Sequence, residues 1–128
     1  MSFRNNNITI AIKIMSKIDL TYLNEISGGD KKFIREMLDL FLVTTASEAD
    51  QYDVLLANSE YERIGSLAHK MKAPVQMLGA NELFETIRDL EVSGKEKSNL
   101  DQIPSLIEKV KSEVNLLKHE IVEALKTL

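Results

Sequence analysis

Few side chains in this chain could act as nucleophiles or as metal ligands. The sequence of 128 residues holds two histidines, His69 and His119, and no cysteine. Without cysteine, disulfides, thiolate metal sites and cysteine nucleophiles are excluded. The glycine-rich patterns G-x-x-x-x-G-K-[ST] and G-x-G-x-x-G, which hold nucleotide phosphates, do not occur. The chemistry available to this protein therefore depends on what surrounds its two imidazoles.

His69 is predicted to lie on the outside of a helix. On a wheel at 100° per residue, it falls about 140° from the apolar stripe that begins at Ile64. Gly65 and Ala73, one turn before and one turn after, predict a low surface on either side of the ring. Lys72, three residues further on, can turn its ammonium toward a negative group bound at the imidazole. The pattern indicates an exposed imidazole that a second molecule can approach closely.

Each histidine also has an ordinary interpretation. His119 lies two residues after Leu117, off the apolar stripe of the last predicted helix, and is interpreted as a surface histidine without metal partners. For His69 the alternative is a surface histidine whose neighbours are accidental, and the wheel alone leaves that alternative open. An exposed imidazole without an orienting pocket suits chemistry in which a partner supplies the catalytic machinery.

The elements that position these residues are predicted to be helices. Asp19 is the expected cap of a short helix with Ile26 on its inner side. Asp30 is the expected cap of a long helix that faces inward through residues including Leu40 and extends to Leu56. These signals predict one short helix followed by a long one.

Further start and stop signals predict three more long helices. Ser59 and Glu62 have the spacing of a capping box, and the helix they begin should end at Gly79. Asn81 is the expected cap of the next helix, with a break at residues 93–95. Asp101 is the expected cap of the last helix, whose Pro104 is tolerated in the first turn. One-sided apolar stripes and short connections predict an all-α, antiparallel four-helix bundle, with the short N-terminal helix as a lid.

Composition narrows the classes of partner. Sixteen basic and twenty acidic residues give a net charge of −4 and a pI near 5.2, which argues against nucleic-acid binding. No apolar run approaches the roughly 20 residues of a membrane span, and no signal-peptide core begins the chain, so we expect a cytoplasmic protein. We also expect a monomer.

The first residues differ from the rest in pattern. Isoleucine occupies every second position across residues 8–14, which is the period of a strand. Residues 1–17 are interpreted as an N-terminal extension, either a cloning or start-site addition or an irregular arm over the bundle. The alternative is a strand or helix that pairs with another copy. The bundle domain is predicted to span residues 18–128.

The segment around His69 resembles a known signature. Residues 68–80 read AHKMKAPVQMLGA and are similar to the pattern A-H-x-L-K-G-S-x-x-x-L/I-G-A of histidine-containing phosphotransfer (HPt) domains. Residues 87–91 resemble that family's following helix, which ends in Leu-Glu, and residues 33–41 resemble its F-x-x-x-L/M-x-x-x-F stretch. The resemblance covers about residues 19–125. It implies a four-helix bundle with its histidine exposed in mid-helix.

The resemblance also implies a function and a set of residues. His69 would be phosphorylated by the aspartyl phosphate of a receiver domain and would pass the phosphoryl group to another receiver. Lys72 would stabilise the phosphoryl charge, and Glu91 would orient one ring nitrogen. The protein would be a phosphocarrier rather than an enzyme, without a cofactor or metal of its own. Its partners would be response-regulator receivers or a hybrid sensor histidine kinase, which would dock over the following residues: Gly65, Lys70, Ala73 and Gln76.

Two residues depart from the family pattern. Ala73 stands where glycine is usual, and Pro74 stands where serine or alanine is usual. Pro74 lacks the N–H that would bond the carbonyl of Lys70, which predicts a bend one turn after His69. A non-catalytic helical adaptor that binds receivers or kinases without phosphotransfer remains the alternative function. The two hypotheses differ in whether His69 is needed.

Overall fold

In the computed structural model, residues 18–128 are described, and every regular element among them is a helix. The segment 8–14 with alternating isoleucines lies outside the described residues, as does the rest of the predicted extension 1–17. Within the described range, no helix is both long enough and apolar enough to cross a lipid bilayer.

Five helices build the domain. In chain order they are α1 (Thr21–Ser27), α2 (the continuous helical segment 31–57), α3 (Tyr61–Met77), α4 (Asn81–Glu96) and α5 (Ile103–Thr127). Short connections make successive long helices antiparallel neighbours. The predicted all-α four-helix bundle with a short N-terminal helix is confirmed.

One apolar stripe from each long helix supplies the core, because residues three and four apart share a helix face. The principal buried side chains are Ile34, Leu38 and Phe41 of α2, Ile64, Met71 and Val75 of α3, Leu83, Ile87 and Leu90 of α4, and Ile103, Ile107, Val110, Val114, Leu117 and Ile121 of α5.

Helix α1 covers the end of the bundle at which α3 finishes. The backbone N–H of Asp19 donates to the carbonyl of Leu78 at 2.8 Å, and Leu23 is fully buried. Ile26, expected on the inner side, is instead half exposed. The helix has only two turns, so a single apolar residue reaches the core and the next one lies beyond its edge.

Helix α2 is irregular in its second half. An α-helical stretch, Lys31–Leu40, is followed by a π turn, Phe41–Thr45, and by a 3₁₀ turn, Ala49–Gln51, before the helix resumes. The π turn changes the angular position of the residues after it. Leu40, expected inside, is 55% exposed, because the buried stripe runs one position away, through Leu38 and Phe41.

The expected cap of α2 is confirmed, and the expected cap of α1 is wrong by one residue. The carboxylate of Asp30 accepts from the N–H groups of Lys32 and Phe33 at 3.0 and 3.4 Å. Before α1, Leu20 occupies the cap position without a side-chain bond, and the carboxylate of Asp19, one residue earlier, accepts from the N–H of Thr21 at 2.9 Å. In each case a side-chain oxygen satisfies a backbone donor that has no partner within the helix.

The expected capping box before α3 is wrong. Helix α3 begins at Tyr61, and Ser59 has a left-handed backbone with a φ of 52°. The N–H of Ser59 donates to the carbonyl of Leu56, and that of Glu60 donates to Leu55. These bonds close the end of α2 in the manner of a left-handed helix stop, so Ser59 is not available as a cap for α3.

The expected caps of the last two helices are also wrong. Asn81 is the first residue of α4, and the preceding Ala80 occupies the cap position without a side-chain bond. Asp101 lies inside the 3₁₀ turn Leu100–Gln102, which directly precedes α5. The predicted end of α3 at Gly79, with a φ of 68°, and the position of Pro104 in the first turn of α5 are confirmed.

Residues 93–95 do not break α4. The helix continues through Ser93 and Gly94 to Glu96, and Lys97 then ends it with a left-handed φ of 51°. Gly94 lies where the helix backbones touch: a Cβ on it would stand 2.7 Å from both the nitrogen of Gly65 and the carbonyl oxygen of Tyr61. This glycine serves packing between helices rather than a turn.

Gly65 forms the other half of that contact. It is buried beneath α4, and a Cβ on it would stand 2.9 Å from the nitrogen of Lys95 and 3.1 Å from the carbonyl oxygen of Glu91. The expectation that Gly65 is part of an exposed low surface is therefore wrong. Helices α3 and α4 approach backbone to backbone at this glycine pair.

The glycine contact predicts a stability effect. Gly94→Ala should lower the free energy of unfolding by at least about 1 kcal/mol, because the backbones must separate, even though alanine is favoured within a helix by a similar amount. Denaturant unfolding followed by circular dichroism measures the change. Ser66→Ala, on an exposed position of α3, is the matched control and should stay within about 0.5 kcal/mol of the parent protein. Equal stability of Gly94→Ala and the parent would contradict the contact.

Candidate functional site

His69 projects from the middle of α3 into solvent. Its side chain is 63% exposed, while its neighbours Ala68 and Met71 are buried in the core. The predicted outward position on the helix is confirmed. His119 is also exposed, on α5.

Glu91 of α4 holds one side of the imidazole. Its Oε2 lies 2.6 Å from the Nδ1 of His69, and its side chain is only 12% exposed. Burial raises the pKa of the Glu91 carboxyl, but hydrogen bonds from Lys72 and His69 outweigh that effect and lower the pKa below its ordinary value. Glu91 is therefore an ionised carboxylate at neutral pH.

The ionised carboxylate decides which ring nitrogen carries the proton. A carboxylate only accepts hydrogen bonds, so the Nδ1 of His69 must donate its hydrogen to Glu91. In the neutral ring the lone pair then belongs to Nε2, on the side of the imidazole away from Glu91. The site thus presents an exposed nucleophilic nitrogen whose ring orientation is set by a buried anion.

Two lysines share the same carboxylate. The ammonium of Lys72 lies 2.6 Å from Oε1 of Glu91, and that of Lys95 lies 3.6 Å from Oε2. Lys72 is the more enclosed, with 25% of its side chain exposed against 49% for Lys95. The structure brings together His69, Lys72 and Glu91, the three residues that the resemblance singles out, and adds Lys95 to them.

Lys95 is not among the site residues expected from the sequence, because residues 93–95 are interpreted there as a break in the helix. Its signal was present: Glu91 and Lys95 are four residues apart, the spacing of an ion pair on one helix face. Had Gly94 been interpreted as a packing glycine, α4 would have extended far enough to place Lys95 beside Glu91.

The predicted docking residues fall into two groups. Ala73 and Gln76 are exposed on α3, one and two turns after His69, as expected. Lys70 is also exposed, but its ammonium lies 3.0 Å from the buried carboxylate of Glu48 on α2. Gly65 lies under α4 and offers no surface to a partner.

An apolar groove of about 300 Å³ lies on the α2 side of α3, where Lys70, the residue after His69, lines it. Leu40 and Phe41 of α2 face Pro74 and Met77 of α3 across it, and Ala73 stands at its edge. Ala73 also lines a second, more polar cleft of about 630 Å³ toward α1. A small side chain at this position keeps both depressions open next to the histidine.

Pro74 lies inside α3, which continues through Met77. The ring is half-buried, and it lines the apolar groove opposite residues of α2. The expected bend of α3 stays a prediction.

The fold of this chain is similar to that of a protein of known structure. No family model matches the sequence, and no curated protein matches it. The crystal structure of histidine-containing phosphotransfer protein B from Pseudomonas aeruginosa PAO1 superposes with a TM-score of 0.79 over 88% of this chain and 97% of that chain. The two sequences are 18% identical, so the similarity is one of fold. This is the fold that the resemblance of residues 68–80 implies.

The lowered pKa of Glu91 predicts a dependence of stability on pH. A carboxyl whose folded pKa lies below its unfolded pKa binds fewer protons when folded, so it stabilises the fold above the unfolded pKa and stops doing so as the pH falls through the folded pKa. The thermal midpoint of Glu91→Gln should therefore be lower than that of the parent at pH 7, and the gap should close in acid. Glu36→Gln, on an exposed position of α2, is the control and should show no such gap. A gap for Glu91→Gln that is constant from pH 7 to pH 3 would contradict the ionised, partnered carboxylate.

Proposed function

We propose that this protein carries a phosphoryl group on His69 and shuttles it between receiver-domain aspartates in a two-component His–Asp phosphorelay. The observation that carries the proposal is the contact between Nδ1 of His69 and Glu91, which leaves Nε2 exposed with a lone pair. The match of fold to a histidine-containing phosphotransfer protein supports it. So does the similarity of residues 68–80 to the signature of such domains.

The transfer step needs no base from this protein. The lone pair on Nε2 attacks the phosphorus of a receiver's aspartyl phosphate, a nitrogen–phosphorus bond forms, and the bond from phosphorus to the aspartate oxygen breaks. The aspartate leaves as a carboxylate. The proton on Nδ1 remains in place, and the positive charge that the ring acquires faces the carboxylate of Glu91. Reversal of the same step passes the phosphoryl group to the next receiver.

The partner supplies the rest of the chemistry. A receiver with its own divalent metal would stabilise the charge that develops on the aspartyl phosphate, so this chain acts as a phosphocarrier and brings no cofactor. A hybrid sensor histidine kinase with a receiver would serve as donor equally well. The docking surface would be built from the exposed residues Lys70, Ala73 and Gln76 and from the apolar groove beside them.

The first prediction for this function concerns the phosphoacceptor. Phosphoramidate, a small-molecule phosphodonor, should phosphorylate the parent protein on one histidine, at Nε2, because Nδ1 is engaged by Glu91. His69→Gln should abolish this modification and leave the thermal midpoint nearly unchanged, since the side chain is exposed. Intact-protein mass spectrometry and ³¹P NMR measure the product, which should be labile in acid.

The second histidine provides the control. His119→Gln should be phosphorylated like the parent. Acid-labile phosphate on His69→Gln that disappears only when His119 is also replaced would move the site to α5 and defeat the assignment. The adaptor alternative predicts that none of these proteins accepts phosphate although a receiver still binds them.

A further prediction concerns the docking surface. Ala73→Glu places bulk and negative charge between the groove and the imidazole, where the phosphoryl group of a receiver must approach. Transfer from receiver domains charged with acetyl phosphate and Mg²⁺ should fall at least tenfold, which corresponds to about 1.4 kcal/mol. Phosphorylation by phosphoramidate should change far less, because that donor needs no docking.

The matched control carries the same charge elsewhere. Ser112 is exposed on α5, which contributes no residue to the site. The variant Ser112→Glu should therefore accept the phosphoryl group at the rate of the parent protein. Transfer rates for Ala73→Glu equal to those of Ser112→Glu would show that receivers do not dock over this part of α3.

A further inference from the structure

The two lysines at Glu91 differ in ways that assign them different tasks. We propose that Lys95 binds the phosphoryl group on His69, and that Lys72 is a positioning residue that holds Glu91 in place. This inference rests on the proposed function, because it concerns the phosphorylated form of His69. It reverses the expectation from the resemblance, in which Lys72 stabilises the phosphoryl charge.

The cations around Glu91 use different oxygens of its carboxylate. His69 and Lys95 meet the same oxygen of Glu91, Oε2, at 2.6 and 3.6 Å. Lys72 meets the other oxygen, Oε1, at 2.6 Å. The ammonium of Lys95 therefore shares its carboxylate oxygen with the imidazole, and that of Lys72 occupies the other oxygen.

Glu91 holds the ammonium of Lys72 more firmly than that of Lys95. A separation of 2.6 Å is a short, charge-assisted hydrogen bond, whereas 3.6 Å is outside hydrogen-bond range and leaves a loose ion pair. Lys95 is also about twice as exposed as Lys72, and exposed pairs of this kind are weak. Lys95 can exchange partners at little cost, whereas removal of Lys72 would leave a buried carboxylate short of a cation.

The side chain of Lys95 passes close to Gly65 of α3. A Cβ on Gly65 would stand 2.7 Å from the Cγ of Lys95, so the stem of this lysine crosses α3 directly over the glycine. Gly65 and His69 are four residues apart and share one face of α3. Glycine at position 65 thus lets the stem of Lys95 lie one helical turn from the imidazole.

Charge supplies the reason for the exchange. A phosphoryl group brings a charge of about −1.5 to −2 at pH 7 to a site that holds one carboxylate and two ammonium groups. Glu91 stays on Nδ1, where the phosphorylated ring is positive, and Lys72 stays on Glu91. The exposed ammonium of Lys95 is then the one free to turn from Oε2 to the phosphoryl oxygens.

Other cations near the site are engaged elsewhere. Lys70 follows His69 directly, but it is paired with the buried carboxylate of Glu48 at 3.0 Å, across α2. Arg88 on α4 is paired with Glu85. Among the residues that the structure describes around Glu91, Lys95 combines a contact with the carboxylate oxygen that the ring uses and a weakly held charge.

The experiment is a ³¹P NMR titration of the full chain phosphorylated with phosphoramidate. A cation bound to the phosphoryl group favours its dianion and lowers its pKa. Lys95→Gln should raise the phosphoryl pKa by about half a unit, a size typical of an exposed pair, and Lys95→Arg should restore the parent value. Lys97→Gln, two residues further along the chain and exposed, is the charge-matched control and should leave the pKa unchanged.

A second measurement distinguishes the positioning role of Lys72 from the role of Lys95. In the unphosphorylated protein, ¹⁵N shifts of the His69 ring report which nitrogen carries the proton. Lys72→Gln should disturb the Nδ1-protonated pattern, because Glu91 loses its short hydrogen bond, whereas Lys95→Gln should preserve it. Lys95 is half exposed, so its variant should fold with an unchanged thermal midpoint.

Each outcome decides a different point. An unchanged phosphoryl pKa in Lys95→Gln, or a larger rise in Lys72→Gln than in Lys95→Gln, would overturn the assignment while His69 remains the phosphoacceptor. Failure of phosphoramidate to modify His69 in the parent protein would instead defeat the proposed function, and the inference with it.

Discussion

The close approach of α3 and α4 at Gly65 and Gly94 is the constraint on which the site depends. A Cβ on either glycine would lie within 3 Å of the other helix's backbone, so the two backbones are in close contact at this point. His69 lies one turn after Gly65, and Glu91 lies about one turn before Gly94. Because the backbones are this close, a short glutamate side chain can remain buried and still reach the ring at 2.6 Å.

The buried carboxylate organises the charges above that contact. Burial alone would favour a neutral Glu91, but hydrogen bonds from His69 and Lys72 keep it ionised. Its charge fixes the tautomer of the histidine and draws two ammonium groups to the same place. The arrangement pairs an exposed imidazole with a buried counter-ion at its Nδ1.

The two sides of α3 differ because its neighbours differ. Toward α4 the surface around His69 is charged, with Lys72 and Lys95 on Glu91. Toward α2 it is apolar, because the π turn Phe41–Thr45 and the half-buried Pro74 line a groove there. A protein that docked over His69 would meet a charged surface on one side of the imidazole and an apolar groove on the other. This difference would fix the orientation of that protein relative to the ring.

The sequence by itself determined the helical class, the stripes of the core, the outward position of His69 and the Asp30 cap of α2, because each depends on spacings within one helix. It also contained the resemblance that led to Glu91. Only the tertiary structure decided the structural roles of Gly65, Gly94 and Ser59. Gly65 was expected on the surface and Gly94 in a turn, since a glycine in one sequence does not reveal whether its missing side chain makes room for solvent, a turn or a second backbone. The roles of Lys72 and Lys95 were hidden for the same reason: which oxygen of Glu91 each ammonium reaches depends on how closely two helices approach, and that distance is set between elements rather than within one.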